Sequence, residues 1–504
     1  MKRTLLGLAA LMACGASAFD AIQLKATDFV LATGNPSLVT WASGTTHVPV
    51  WSMSGGQLGQ SVVAVTPPLP KDCGGVKVEL LVVNTDPSAN ASFSDVWRAH
   101  LSQIVAGEKL GFGEAVGRPV RFSLAEKPGV VRSLVIEGYR KVVPGAPLTV
   151  RIQREPGDDA DTFVKPAGLI AVNVTPLAAP PSARLVEDSK GYNSWPMVQA
   201  IGEKLVCCYS RGSAHTINEF ARDAYARTST DGGRTWSPEV CFSKLGDVGE
   251  VLIGKGLDRD GAALFWVRCM GPKSHHDLWR TADGVTFEKI SEPKLAPFPM
   301  QITDIFPTKH GLMCLWFATW YKEHDRHWWG TLTSTDNGRT WTQKVVEEVE
   351  NLADLPTEPC AVPLGDGRIL GLARTERSGA AAGASEFQLT SLDDGLTWRK
   401  TRTNITDILA STPSLVYDAE KGTMCAYYYE RGRQVIKRRV ARVADVFDNP
   451  LAWPAPEGVV LGDEKRPPDA GNVNATAIGG THYLNYYSGT ATDTKIYLAP
   501  VPAP

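Results

Sequence analysis

The chain is 504 residues long, too long for one ordinary domain, and its 52 basic and 54 acidic side chains leave a formal charge of −2. No basic block points to nucleic acid, and no acidic tail points to a charged protein partner. An apolar fraction of 43% is that of a soluble globular chain, and 14 Trp with 47 Gly fit a turn-rich β protein.

Residues 1–18 read as an export signal: Lys2 and Arg3 precede an apolar stretch, and Ala16, Ser17 and Ala18 form a small-residue cleavage site. Residues 11–15 also form a bacterial lipoprotein box around Cys14. The predicted product is secreted or periplasmic, or held as a lipoprotein on the outer membrane through Cys14. The apolar stretch is too short to span a bilayer, and no later one reaches that length. Residues 19–178 hold short β-like runs, among them Val76–Val83, Val130–Ile136, Leu148–Ile152 and Gly168–Val174, broken by Pro and Gly. They predict a β-sandwich-like accessory domain, with residues 177–182 as the linker.

Residues 179–504 are organised by a repeat. Ser229, Asp231, Gly233, Thr235 and Trp236 recur as Ser334, Asp336, Gly338, Thr340 and Trp341, and again as Ser391, Asp393, Gly395, Thr397 and Trp398. A degraded copy is Thr281, Asp283, Gly284, Thr286 and Phe287. The period is that of propeller blades. The Ser and Asp side chains bond the amides of a tight turn, the Gly supplies positive φ and the Trp fills space between sheets, so the motif builds the fold and carries no chemistry. Between the copies, pairs of strands separated by a Gly turn can be counted six times, beginning near Trp195, Val251, Gln301, Cys360, Ser414 and Val473. The stretch 184–188 is placed to pair with the last of them. Cys207, Cys208, Cys269, Cys314 and Cys425 lie in apolar runs and read as small buried hydrophobes. No CxxC, HExxH or other metal-ligand spacing occurs, and no cofactor motif.

The repeated S-x-D-x-G-x-T-W pattern resembles the Asp-box of the sialidase (neuraminidase) superfamily. The resemblance implies an all-β chain with a six-bladed β-propeller, and an exo-α-sialidase removing terminal sialic acid from glycans. In a propeller, first strands begin and second strands end on one face beside the axis, so ligand-contacting residues are expected there. Second strands end on Arg211, Arg268, Arg374 and Arg431, and a sialic acid carboxylate is a natural bidentate Arg ligand. The loop from Arg211 to Asp223 offers His215, Glu219 and Asp223 for acid/base work, and the sequence does not choose among them.

Glu358 and Arg374 stand where the family has a Glu assisting its nucleophile and an Arg of its carboxylate clamp. Elsewhere the pattern departs. Ser194, Trp195 and Pro196 replace the family's Arg-Ile-Pro, Ser411, Thr412 and Pro413 stand at a second clamp Arg, and Asn472 and Asn474 stand where the nucleophilic Tyr is expected. Tyr428, Tyr429, Tyr486 or Tyr487 are the candidate replacement phenols. Without one, an inverting plan with water is favoured, its acid and base about 6.5–9.5 Å apart. Gln301, Asp304, Tyr321, His324 and Asp325 are candidates to line the same pocket. Two other readings stand beside the hydrolase: a lyase on uronic-acid glycans using His215 with a Tyr, and a non-catalytic glycan-binding propeller.

Overall fold

A computed structural model describes residues 19–43, 45–54, 60–89, 94–105, 108–111, 116–123, 128–136, 142–154, 162–163, 165–178, 183–215, 221–319, 326–375, 385–407, 411–430, 435–461 and 469–504. The export signal with Cys14, and the candidates Glu219, Tyr321, His324, Asp325 and Arg431, lie outside these residues. Strands dominate, and no helix among the described residues is long and apolar enough to cross a membrane. The chain divides into two compact units between Pro180 and Pro181.

The first unit has two antiparallel sheets. One is built around Cys73–Asn84 and Pro166–Ala178, the other around Ser61–Pro68, Pro147–Arg154 and Ser94–Val105. Alternate residues of both sheets, Val78, Leu80 and Val172 from one and Val62, Trp97 and Val150 from the other, meet in a single core. Period-two burial of this kind is what makes two sheets a sandwich.

The second unit repeats antiparallel groups of four or five strands. Gly249–Leu257 to Glu288–Ser291 form one sheet, Gln301–Ile302 to Thr342–Val349 the next, Pro356–Pro363 to Arg399–Arg402 a third, and Ser414–Asp418 to Glu457–Leu461 a fourth. A fifth, eight-stranded sheet joins Tyr192–Ile201, Lys204–Gly212, Asp223–Ser229 and Val240–Ser243 to the chain's last three strands. Arg184–Glu187 pairs antiparallel with Thr494–Pro502, at the place the sequence assigned to it. The apolar clusters run in order around these groups. Ala224 and Phe265 share one, Trp266 and Trp316 another, Leu315 and Leu389 a third, Leu370 and Tyr428 a fourth, Tyr427 and Leu484 a fifth. A sixth brings Leu498 of the last strand back to Val198 and Leu205.

The repeat motif is a turn built on one carboxylate. Asp336 accepts from Ser334 Oγ at 2.9 Å, Thr340 N at 2.8 Å and Thr340 Oγ1 at 2.6 Å, and Trp341 Nε1 donates to Gly338 O at 2.9 Å. Asp231 and Asp393 repeat the Thr bond at 2.6 Å. Gly395 has φ 86°, and a Cβ there would fall 2.4 Å from Met313 Sδ of the preceding sheet. The motif thus seals one sheet against the one before it. These bonds hold the Asp336 carboxyl below its ordinary range. Asp336→Ala is expected to cost about 1–2 kcal/mol and to lower Tm while leaving turnover per folded molecule unchanged.

The eight described cysteines are all free thiols and all but Cys241 are buried, Cys207, Cys208, Cys269, Cys314 and Cys425 as their apolar runs predicted.

Candidate active site

The innermost strands of the second unit meet around a cavity of about 20 Å³, room for roughly one ordered water. Its lining includes Met197, Ile253, Gln301, Cys360, Thr412 and Asn472, so residues in or beside the first strands of all five sheets converge there. Pairing with the second strands slips at one level in four of these strands: between Ser194 and Met197, Leu252 and Gly254, Thr357 and Cys360, and Gly471 and Asn474. In three of the slips the extra residue is left-handed without being glycine: Trp195 at φ 48°, Glu358 at 46° and Asn472 at 52°. Each such residue costs on the order of 1–3 kcal/mol, and bulges of this kind re-aim a side chain out of the strand's alternation.

Two polar clusters stand on this framework. In the first, Glu358 Oε2 accepts from Arg374 Nη1 at 2.8 Å and from Thr412 Oγ1 at 2.9 Å. Thr412 Oγ1 lies 3.5 Å from Asn472 Oδ1. Glu358 and Arg374 are therefore together, as the sequence predicted. Asp304 faces Lys255, whose Nζ is 3.7 Å from Asp304 Oδ2 and donates to Ala475 O at 2.8 Å. Gln301 Nε2 donates to Ile253 O at 3.2 Å. Behind Arg374 sits Glu386, fully buried, with no hydrogen-bond partner on either carboxyl oxygen among the described residues. Burial and the nearby Asp407 push its carboxyl well above the ordinary range, which keeps it neutral.

The second cluster was not foreseen as a unit. His215 Nδ1 is 2.5 Å from Asp469 Oδ2, and Tyr192 Oη is 2.6 Å from both. With Asp469 accepting from Nδ1–H and from the phenol, the imidazole is held in one tautomer and Nε2 carries the lone pair. Tyr192 is buried, and burial first, then Tyr487 and Asp469, raise its phenol far above the ordinary range, so it positions rather than ionises. Tyr487 packs edge-on against Tyr192 at 5.9 Å, and Trp195 packs edge-on against His215 at 5.8 Å. Arg222, fully buried, lies over Trp195 at 4.5 Å and donates to Ala214 O at 2.7 Å, bracing the start of the His215 loop. The His215 side chain is 37% exposed, which leaves it the open member of the cluster.

Four further candidates have other partners in the structure. Arg211 forks onto Glu239, at 3.0 Å from Nη1 and 2.5 Å from Nη2, donates from Nε to Asn193 and stacks on Tyr225. Arg268 is buried and donates to Met300 O, a backbone brace. Asp223 lies next to Lys244 and Tyr225, because strand alternation sends 222 and 223 to opposite faces and Arg222 takes the side of His215. Tyr428 is buried away from the cavity, bonded to Asp407 at 2.9 Å and to Arg439 Nε at 2.8 Å.

Tyr192 and Asp469 were missed because the first strands of their groups begin three and four residues earlier than the apolar runs at Trp195 and Val473 indicate. Their position at the opening of an innermost strand was the signal that could have found them.

Glu250, opening the next innermost strand, is fully buried, and burial lifts its carboxyl to about 7. The folded value lies above the unfolded one, so the associated stability is full below about pH 4.5 and is lost as pH rises through 7. Glu250→Gln is expected to flatten the fall in Tm between these pH values, about 2–3 kcal/mol at its full extent. A wild-type slope retained in the variant would refute this.

The Asp-box turn at residues 227–238 matches the BNR/Asp-box repeat family model. No curated protein sequence matches the chain. Among solved structures, a protein of unknown function from Dyadobacter fermentans aligns over 64% of this chain and 100% of its own, at 17% identity and a TM-score of 0.51. The NanB sialidase of Streptococcus pneumoniae aligns over 86% of this chain and 95% of its own, at 12% identity and 0.50. The leech intramolecular trans-sialidase covers 86% and 94%, at 10% identity and 0.50. The chain therefore carries an Asp-box repeat on a sialidase-like, all-β fold.

Proposed function

We propose that this chain is an exported glycoside hydrolase that removes a terminal carboxylated sugar of the sialic acid type from glycans, with His215 in place of a tyrosine as the group that handles the proton. The observation that carries this reading is the His215–Asp469–Tyr192 cluster, with its half-exposed imidazole. A carboxylate on Nδ1 orients the ring and stabilises the imidazolium, so Nε2 can take a proton from water. That suits the inverting plan, in which no enzyme nucleophile is needed. The buried Tyr192 and the Asn at 472 both speak against a Tyr nucleophile. Arg374, paired with Glu358, is the cation we assign to the sugar carboxylate.

The scaffold reading is a six-bladed propeller. Its support is the six apolar clusters in cyclic order and the outer strand 184–187 contributed to the last group. The eight-stranded sheet then counts as the first and last blades joined where Tyr192 pairs with Thr494. The first unit is assigned an accessory glycan-binding or packing role. Residues 1–18 direct export, to a secreted, periplasmic or Cys14-anchored location, and the partners are sialylated or other acidic glycans and glycoproteins.

One observation favours a second reading. A His within hydrogen-bond reach of a Tyr, near an Arg, is also the equipment of a lyase acting beside a uronic-acid carboxylate. The two are separated by product. The purified chain is incubated with a sialylated glycoprotein and with uronic-acid polysaccharides. Free sialic acid, inverted at its anomeric carbon by NMR in the first minutes, supports the hydrolase. An unsaturated, ultraviolet-absorbing product replaces it with the lyase. Binding without either product leaves a non-catalytic glycan receptor.

A further inference from the structure

One hairpin of the second unit gathers three different metal-ligating side chains apart from the site above. Cys269, in Ala263–Met270, pairs directly with His275, in His275–Thr281, and Asp277 follows two residues on, on the same face of its strand. One ligand atom from each lies within 4.8 Å of the others. His275 Nδ1 is 2.8 Å from Lys273 O, so it carries the hydrogen, and Nε2 turns to Asp277 Oδ1 at 3.6 Å. A carbonyl on the far nitrogen is the usual device for orienting a ligand imidazole. Asp277 is fully buried, and among the described residues neither carboxyl oxygen accepts a well-formed hydrogen bond, its contacts being the looser ones to His275 and Lys289. A buried carboxylate whose cations stand this far off recovers only part of its desolvation cost, and a directly bound cation is the natural complement. Lys289 stands nearest, its Nζ 3.4 Å from Asp277 Oδ1 but closer, at 2.9 Å, to Glu292 Oε2.

We propose that Cys269 Sγ, His275 Nε2 and an Asp277 carboxylate oxygen form a site for a divalent transition metal ion of the zinc type. Sulfur, nitrogen and oxygen together suit tetrahedral Zn2+, whereas Ca2+ and Mg2+ take oxygen alone. Binding sends the Cys269 thiol proton to solvent as the metal–sulfur bond forms. Lys289, 39% exposed and flexible, gives up Asp277 and keeps Glu292. Water takes the fourth position. The ion would tie the ends of two strands together where the hairpin 270–275 turns.

The test uses the full chain, stripped with chelator, dialysed and titrated with Zn2+ and separately with Co2+. The expected result is one tightly held equivalent, with a thiolate-to-cobalt charge-transfer band and the intense visible bands of tetrahedral Co2+. Cys269→Ser removes the charge-transfer band. His275→Gln alters a half-buried side chain, keeps the far-ultraviolet circular dichroism and loses stoichiometric binding. Lys289→Met removes a competing ammonium and tightens binding about tenfold. Failure of the wild-type chain to retain an equivalent overturns the proposal. So does a cobalt spectrum that survives Cys269→Ser and disappears instead with Cys241→Ser, the accessible thiol.

Discussion

Asp469→Asn is expected to lower kcat about 10³-fold or more while leaving KM and Tm nearly unchanged. The amide is isosteric with the acid and still fills the place between His215 and Tyr192. It can present its NH2 to Nδ1, which then must act as acceptor and moves the hydrogen to Nε2, the atom that needs a lone pair. The variant also loses the charge that stabilises an imidazolium. His215→Ala should be as severe, because the base itself is gone, and its 37% exposed side chain makes misfolding a poor explanation. The measurement is kcat against pH for both variants on whichever glycan the wild type cleaves. A wild-type profile in either one would remove His215 from the chemistry and return attention to the carboxylates.

Arg374→Ala should show the second largest effect, and a different signature. Glu358 loses its 2.8 Å ion pair, keeps the Thr412 hydroxyl and remains in a left-handed conformation in a strand bulge. Breaking a largely buried pair costs about 3–5 kcal/mol, so Tm falls. The binding of a sugar carboxylate should weaken as well, raising KM. Arg374→Ala with Glu358→Gln removes both charges and should recover much of the stability without recovering KM. Recovery of both would mean that Arg374 serves the fold alone. The contrast with Asp469→Asn separates binding from proton handling, because one variant moves KM and stability and the other moves kcat.

The all-β class, the Asp-box turns and the repeated strand pairs were legible because each depends on residues close in sequence. A Ser, Asp, Gly and Thr within seven positions close their own hydrogen bonds, and an apolar strand announces itself by composition. Glu358 with Arg374 was legible for a similar reason, since one hairpin separates them and its register opposes Thr357 to Arg374. The arginines show the limit. Arg211, Arg268 and Arg374 all stand near the ends of second strands, but only Arg374 pairs with Glu358 in the bulge of an innermost strand. Arg211 found Glu239, just before the outer strand Val240–Ser243, and Arg268 found the carbonyl of Met300, partners no local pattern announces.

The same boundary runs through the candidate site and the hairpin site. Tyr192, His215 and Asp469 are separated by up to 277 positions, and they meet because the last strands return to the first group. Cys269, His275 and Asp277 are close in sequence, but their spacing matches no metal motif until strand pairing sets Cys269 opposite His275. By itself the sequence determined the turns, the strands and their repetition, since short-range hydrogen bonding and side-chain period decide those. Only the tertiary structure decided which charged groups face the axis, because a side chain near a strand end is committed by its cross-sheet partner and by the bulge beneath it.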